Sequence, residues 1–583
     1  MASSPQFDLV IRGGSVADGT GAPVFDADVA VRDGRVVDLG RIAARGAREI
    51  DARGLLVAPG FVDIHTHYDG QAIWESRFAP SCWHGVTTAV MGNCGVGFAP
   101  VRAGDRERLV ELMEGVEDIP GVVLHEGLDW AWESFADYLD ALERRPHDID
   151  FCAQLPHGAL RVYVMGERAA RLEMATGEDI AQMRRLTADA MRAGALGVST
   201  SRSINHRTSS GDPTPSLLAA EDELMGIALG AKDAGSGVIQ LICDFDEDVE
   251  SEFAMLRRLV EGSGRPLSFS LMQKHKNKNG WRRLLQLTAE AVAAGLPMRA
   301  QVAPRGVGVL LGLQGSRNVF SECPSYRAIA HLPLEERVAA MHEPVLAERL
   351  KGEVEAASGS RLGARLAEFS NLFPFGDPPD YDPGFDASIA SLAARQGRAP
   401  VEVAYDLTLA DVGRGFLYSP FANYAEGNLD VCAEMIADPN TLIGLGDGGA
   451  HVALVSDASF PTYLLTHWGR ETGKFDLAWL IKRLSADTAQ AVGLLDRGVI
   501  ARGMKADINL IDVERMGIDS PRMSFDLPAG GRRLLQRGRG FVATIVAGKV
   551  VYRDGEATGE LPGRLVRGHR AAPVFAAGAQ ARR

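Results

Sequence analysis

Gly60-Phe61-Val62-Asp63-Ile64-His65-Thr66-His67-Tyr68-Asp69-Gly70 is the stretch on which the reading of the chain turns. It follows the apolar run Leu55-Leu56-Val57, so His65 and His67 are expected at the end of a buried strand. Residues i and i+2 of a strand point to the same side. His-x-His therefore sets two imidazoles side by side at the mouth of whatever the strand helps to build. Two such imidazoles hold a divalent metal with few residues. A metal-assisted hydrolase is the first expectation.

Downstream, Gly85-Val-Thr-Thr-Ala-Val-Met reads as a second buried strand, and it leads into Gly92-Asn93-Cys94-Gly95. If the strands are parallel, Cys94 emerges at the same end as His67. A thiol beside a metal loses its proton and becomes a strong ligand. Far along the chain, Thr441-Leu-Ile-Gly-Leu precedes Gly446-Asp447-Gly448-Gly449-Ala450-His451. A carboxylate in such a glycine-rich turn can ligate a metal and take a proton from water. Asp-Gly-Gly is also an ordinary turn sequence. His451 is a candidate substrate contact.

The apolar runs between these points alternate with helical patterns. Gly197-Val-Ser-Thr, Gly237-Val-Ile-Gln-Leu-Ile and Pro266-Leu-Ser-Phe-Ser-Leu are strand-like. Residues 179–193 and 281–294 carry apolar positions three and four apart, the helical period. This repetition predicts an α/β fold, a (β/α)8 TIM-like barrel. A doubly wound sheet is the alternative, disfavoured because no Gly-rich phosphate loop follows the first strand. The two chain ends share another texture, short alternating runs broken by Gly-Gly, Thr-Gly and Asp-Gly turns. Together they predict a small β-sandwich domain built from the N- and C-terminal segments. The expected division is 1–58 for its first part, 59–490 for the barrel with an insertion near 305–382, 491–560 for its second part, and 561–583 as a tail.

Composition narrows the function. The chain has 583 residues, 46% hydrophobic and 24% charged, too long for one small core and ordinary for a globular enzyme. A net charge of −14 argues against nucleic acid or an anionic membrane as partner. Its six cysteines are scattered without C-x-x-C pairs, which fits a reducing compartment. The beginning Met-Ala-Ser-Ser-Pro-Gln-Phe-Asp has no signal-peptide character, and no apolar run approaches a membrane span. The expectation is a cytoplasmic enzyme with a small-molecule substrate. Homo-oligomerisation is left open.

With these residues in view, the chain resembles the amidohydrolase superfamily, and within it the N-acyl-D-amino-acid deacylases (D-aminoacylases). The resemblance rests on Gly60-Phe-Val-Asp-Ile-His-Thr-His-Tyr-Asp, Gly85-Val-Thr-Thr through Gly92-Asn-Cys-Gly, His157-Gly-Ala-Leu-Arg161, Gly197-Val-Ser-Thr-Ser201, Gly446-Asp447-Gly448 and Asp496-Arg-Gly-Val-Ile-Ala-Arg-Gly-Met-Lys-Ala-Asp507. It implies a metal-bearing barrel that hydrolyses an N-acyl or cyclic amide. His65 and His67 match the family's first ligand pair. Cys94 matches the cysteine in the bridging-ligand position, and Asp447 the aspartate that binds metal and serves as general base.

Two expected ligands are replaced. Where the family has a histidine in a context like G-V-Y-A-T-H, this chain has Ile242, and where it has one in I-S-H-L-K, this chain has Leu271. The lysine associated with the substrate carboxylate is Gln273. Ile242 and Leu271 have no donor atoms, so His65, His67, Cys94 and Asp447 are left as the ligands of one divalent metal, expected to be Zn2+. Asp244 and His275 are weaker substitutes. Ser201, Arg202, Arg305 and His451 are the candidate substrate contacts, with Arg305 preferred as the replacement cation because Arg meets carboxylates bidentately.

The expected reaction is cleavage of a C–N amide bond in a small N-acyl amino acid-like substrate. Metal-activated water attacks, and Asp447 takes and returns the proton. Alternatives are a cyclic amide hydrolase or amide-forming enzyme on the same site, or a non-catalytic amidohydrolase-like binding or assembly protein, suggested by the replaced histidines.

Overall fold

The structure is a computed structural model that describes residues 6–246 and 248–574. Eight parallel strands follow one another around a barrel: Phe61–Asp63, Val86–Met91, Asp150–Ala153 continued by Leu155–Pro156, Gly197–Arg202, Val238–Cys243, Leu267–Ser270, Met298–Val302 and Thr441–Ile443. Nearly all of their residues are buried on both faces, polar ones such as Ser199, Gln240 and Gln301 included. Val86–Met91 is buried at every position, as a parallel strand covered by helices must be. The eighth strand meets the first just beyond their ends. The His67 N–H donates to the Gly448 carbonyl at 2.7 Å, and the Asp447 N–H to the His65 carbonyl at 3.0 Å. The backbone that closes the barrel is thus the backbone carrying the candidate ligands.

The outer helices obey ordinary end rules. Helix Gly177–Ala193 starts at a capping box of Thr176 with Asp179 and stops at Gly194, whose φ of 113° suits only glycine. It buries Met183, Thr187, Ala190 and Met191 at helical spacing. Helix Gly280–Ala293 buries Trp281, Leu284, Leu285, Thr288 and Ala291 in the same way. No helix among the described residues is long and apolar enough to cross a membrane.

Both chain ends contribute to one β-domain. Phe7–Val16, Phe25–Arg32, Arg35–Gly40, Gly46–Asp51 and Leu56–Pro59 join Ile508–Ile511, Phe541–Val546, Lys549–Arg553 and Glu556–Ala557 in a nine-stranded sheet. Antiparallel pairing of Leu56–Pro59 with Ile508–Ile511 unites the two ends. Leu9, Ile11, Val29, Val31, Leu510 and Ile545 give the domain its own core.

Two boundaries differ from those read in the sequence. The excursion between the seventh and eighth barrel strands runs from 303 to 440, well past 382. It holds an antiparallel sheet of Val307–Leu311, Phe416–Ala422 and Phe373–Phe375 and a separate core around Phe320, Met341, Leu350 and Leu417. The segment read as a tail from 561 is docked at its start. The Phe151 N–H donates to the Arg564 carbonyl at 3.1 Å and the Val566 N–H to the Phe151 carbonyl at 2.7 Å, so this stretch lies along the third barrel strand. Leu565 and Val566 are buried there. Residues 575–583 lie outside the described residues.

Candidate metal centre and active site

His65 and His67 leave the first barrel strand as alternating residues, and both are buried. The His65 Nδ1 lies 2.7 Å from the Oε1 of Gln301, on the seventh strand, and the Gln301 Nε2 donates to Ser268 Oγ at 2.9 Å. That second bond makes Oε1 the acceptor, so His65 carries its proton on Nδ1 and leaves the Nε2 lone pair free. Nε2 faces Cys94 Sγ at 3.3 Å and Asp447 Oδ1 at 3.4 Å. The His67 Nε2 is 3.7 Å from the same Asp447 oxygen. Ligand atoms of His65, His67 and Cys94 all lie within 4.8 Å of one another.

The turns that present these side chains are tightly specified. Cys94 has a φ of 55°, and its N–H donates to Gln240 Oε1 at 3.0 Å. Gly95 follows with its N–H on Ser199 Oγ at 2.9 Å. Gly92, with φ of 79°, lies so close to the Gln154 carbonyl that a Cβ would collide with backbone. Asp447 and His451 also take positive φ values, 46° each. Non-glycine residues held in this region are strained, and such strain clusters at functional sites.

Burial and charge set the electrostatics. Burial pushes the Cys94 thiol up to about 11, although His67 beside it pulls the other way. Burial would also raise Asp447, but the His67 contact and the charges of His65 and His67 hold it well below the usual carboxylate range. Burial, reinforced by the charges of His451 and His67, lowers His206 to about 3 and keeps its ring neutral.

A model of the amidohydrolase family matches residues 48–552, the whole barrel and part of the β-domain. The chain belongs to the amidohydrolase family. It is a hydrolase of that family. D-aminoacylase of Alcaligenes xylosoxydans xylosoxydans is 26% identical to it over 568 residues, 97% of this chain and 98% of that protein. N-acyl-D-aspartate deacylase of the same organism is 29% identical over 575 residues, 96% of this chain and 95% of that protein. Among solved structures, D-aminoacylase superposes with a TM-score of 0.65 at 24% identity, covering 97% of this chain and 100% of that one. N-acyl-D-glutamate deacylase from Bordetella bronchiseptica, solved with zinc and a phosphonate inhibitor, gives 0.64 at 22% identity over 96% and 99% of the two chains. These likenesses agree with the barrel and β-domain described above.

The donor set of this amidohydrolase fits a divalent metal. Two imidazole nitrogens, a thiol sulfur and a carboxylate oxygen converge in a buried space, a combination suited to zinc. Ile242 stands two residues beyond Gln240, hence on the strand face that reaches Cys94, and it adds no donor. Leu271 is buried and equally without one. Asp244 is engaged elsewhere, accepting from Ser203 Oγ and the Ile204 N–H.

The candidate substrate contacts part company. Ser201 is buried and pairs with His206 Nδ1 at 2.9 Å. His451, about one-third exposed, has its Nε2 3.7 Å from Glu117 Oε2. Arg202 is taken up by both oxygens of Glu252 and by the Ala219 carbonyl. Arg305, preferred from the sequence as a free cation, is fully enclosed. It pairs with Asp457 Oδ1 at 3.0 Å and lies 3.4 Å from the ring centre of Tyr381. Gln273 spans Glu426 and the Ala425 N–H, so it closes the wall where a lysine was expected.

Sequence reasoning missed Gln301, Gln240 and Glu117. The last had a signal. Val110, Met113 and Glu117 fall on one buried helical stripe, where a carboxylate is out of place.

Proposed function

We propose that the chain is a metal-dependent hydrolase that cleaves the C–N amide bond of a small N-acyl amino acid-like substrate, an N-acyl-D-amino acid in the first instance. The observation that carries this reading is the convergence of His65 Nε2, His67 Nε2 and Cys94 Sγ with Asp447 Oδ1 beside both histidines. The names of its full-length relatives, D-aminoacylase and N-acyl-D-aspartate deacylase, support the substrate class. The donors present favour one metal rather than two, since Ile242 and Leu271 offer none.

His65, His67 and Cys94 would hold the ion, with Asp447 at its side. A bound divalent ion supplies Lewis-acid polarisation of the carbonyl and makes water a better nucleophile at neutral pH. Asp447, kept ionised by its histidine neighbours, accepts the proton of the attacking water and returns it to the leaving nitrogen. Gln301 keeps His65 in the tautomer that aims Nε2 inward. His451, partly open to solvent beside Asp447, and Ser201 with His206 are placed to meet the substrate. Arg305, enclosed and paired with Asp457, is not available to the substrate as a free cation.

Metal analysis of the purified protein, followed by turnover on N-acyl-D-, N-acyl-L- and cyclic amides, tests this reading. Stoichiometric zinc and hydrolysis of N-acyl-D substrates are expected. Asp447→Asn should bind metal yet lose turnover by a factor of at least about a hundred, the scale of general-base catalysis. Absence of both zinc and zinc-stimulated activity would instead favour a binding protein.

A further inference from the structure

Helix Arg106–Glu117 brings a carboxylate to the wall of the donor cluster. Its buried stripe of Val110 and Met113 ends on Glu117, after which Asp118, with φ of 54°, turns the chain away. Glu117 is only 1% exposed. Among the described residues no lysine or arginine pairs with it; the charges it feels come from His67, His451 and Asp447. Taking a carboxylate out of water costs several kcal/mol before any partner offsets it. An apolar residue would complete the stripe at no such cost, so the carboxylate calls for a reason.

The reason lies in what its two oxygens face. Glu117 Oε1 is 3.2 Å from His67 Nδ1. The pair is not aligned as a full hydrogen bond, yet both atoms are buried and neither has a hydrogen-bond partner. Glu117 Oε2 is 3.7 Å from His451 Nε2, and the Glu117 backbone carbonyl accepts the His451 N–H. One residue therefore touches a candidate metal ligand on one side and fixes the mouth histidine, by side chain and backbone, on the other.

We propose that Glu117 is a positioning residue that ties the metal centre to the substrate side of the site. Its carboxylate holds the His67 proton on Nδ1, so that Nε2 points towards Cys94 and Asp447, and strengthens that nitrogen as a donor. The same carboxylate anchors His451 four residues after Asp447. Gln301 serves His65 in the matching way, with a neutral acceptor in place of a charged one. The inference rests on the metal-centre reading above.

The test uses the full-length protein and Glu117→Gln, which keeps volume, with Glu117→Leu as the apolar variant. Zinc affinity is measured by chelator competition, and the cobalt-substituted proteins are compared by visible absorption. A loss of roughly 10–100-fold in metal affinity is expected, with displaced cobalt bands and a raised KM from the released His451. Glu117→Leu removes a buried carboxylate but leaves His67 Nδ1 unpartnered, so the melting temperature of each variant is measured beside its metal affinity. Stoichiometric wild-type zinc, with affinity and cobalt spectrum unchanged in both variants, would overturn the role of Glu117 alone. A wild type that binds no zinc would remove the metal-centre reading and this inference with it. Should the leucine variant fail to fold, the isosteric glutamine variant decides.

Discussion

Gln301 and His65 meet at 2.7 Å although one lies on the seventh barrel strand and the other just beyond the first. The eighth strand runs between them in the sheet order, so the contact crosses the mouth of the barrel. Ser268, on the sixth strand, completes the relay by accepting from the Gln301 amide. Three strands thereby fix the tautomer of one histidine, and that tautomer decides whether its Nε2 can serve as a ligand.

Gln301→Leu removes the acceptor and leaves His65 Nδ1 buried without a partner. Outer partners of metal-ligating histidines are typically worth 10–100-fold in metal affinity. A loss in that range, read by chelator competition, is expected, with helix content unchanged. Equal zinc affinity in the variant would mean that packing alone orients His65.

Metal uptake should depend steeply on pH because the Cys94 thiol, raised to about 11 by burial, is protonated in the metal-free protein at neutral pH. A zinc-bound cysteine is a thiolate, so binding expels that proton. Apparent affinity should rise at least about tenfold per pH unit through neutrality, more if His67, itself raised well above its ordinary value, also loses one. Competition titrations at three pH values measure the slope. Cys94→Ala should make it shallower by about one proton, and an unchanged slope would take Cys94 out of the ligand set.

How much of this was legible in the sequence follows from what each residue needs to be recognised. His65, His67, Cys94 and Asp447 each follow an apolar run directly, so strand periodicity and chain direction were enough to bring them to one end of the barrel. Gln301 and Glu117 matter only through neighbours that three-dimensional closure supplies, and a lone Gln or Glu carries no spacing signal. Arg305 had the right chemistry in the right region, but nothing local announces the enclosure by Tyr381, Phe460 and Tyr463. The excursion runs on past 382 without a signal because the Gly-, Pro- and polar-rich texture ends there and helix Ile389–Gln396 is as amphipathic as a barrel helix. The docked stretch after 561 escaped notice because Leu565 and Val566 are too few to show a period.

That docked stretch makes its own prediction. Gly563 passes so close to Ile149 that an added Cβ would run into the Ile149 carbonyl, and backbone cannot step aside. Gly563→Ala should therefore loosen residues 563–566 from the third barrel strand at a cost of about 1–3 kcal/mol, the range for overpacking. Gly177→Ala, at an exposed position with open space around it where a helix begins, is the control. Calorimetry and limited proteolysis near residue 570 should distinguish the two. Equal melting temperatures and equal cleavage would show that the segment tolerates the methyl group.

His84 should give the protein an acid-sensitive joint between the barrel and the stretch of chain around Gln536. Its Nδ1 meets Thr462 Oγ1 at 2.7 Å and its Nε2 donates to the Gln536 carbonyl at 3.0 Å, an arrangement satisfied by the neutral ring. Burial, with a smaller push from the Arg305 charge and against the Gln536 carbonyl, lowers it to about 4. Above pH 6.5 the ring is neutral in both folded and unfolded chains, so it contributes no pH dependence there. Between about 6.5 and 4 the unfolded chain takes up a proton that the folded one refuses, so stability falls as the solution is acidified. The full loss is about 3 kcal/mol, reached near pH 4. His84→Gln keeps a donor and an acceptor without a titrating group. Its melting temperature should start below that of wild type at pH 7 and the gap should narrow steadily towards pH 4. A gap that stays constant across that window would mean the ring is protonated in the fold at no cost.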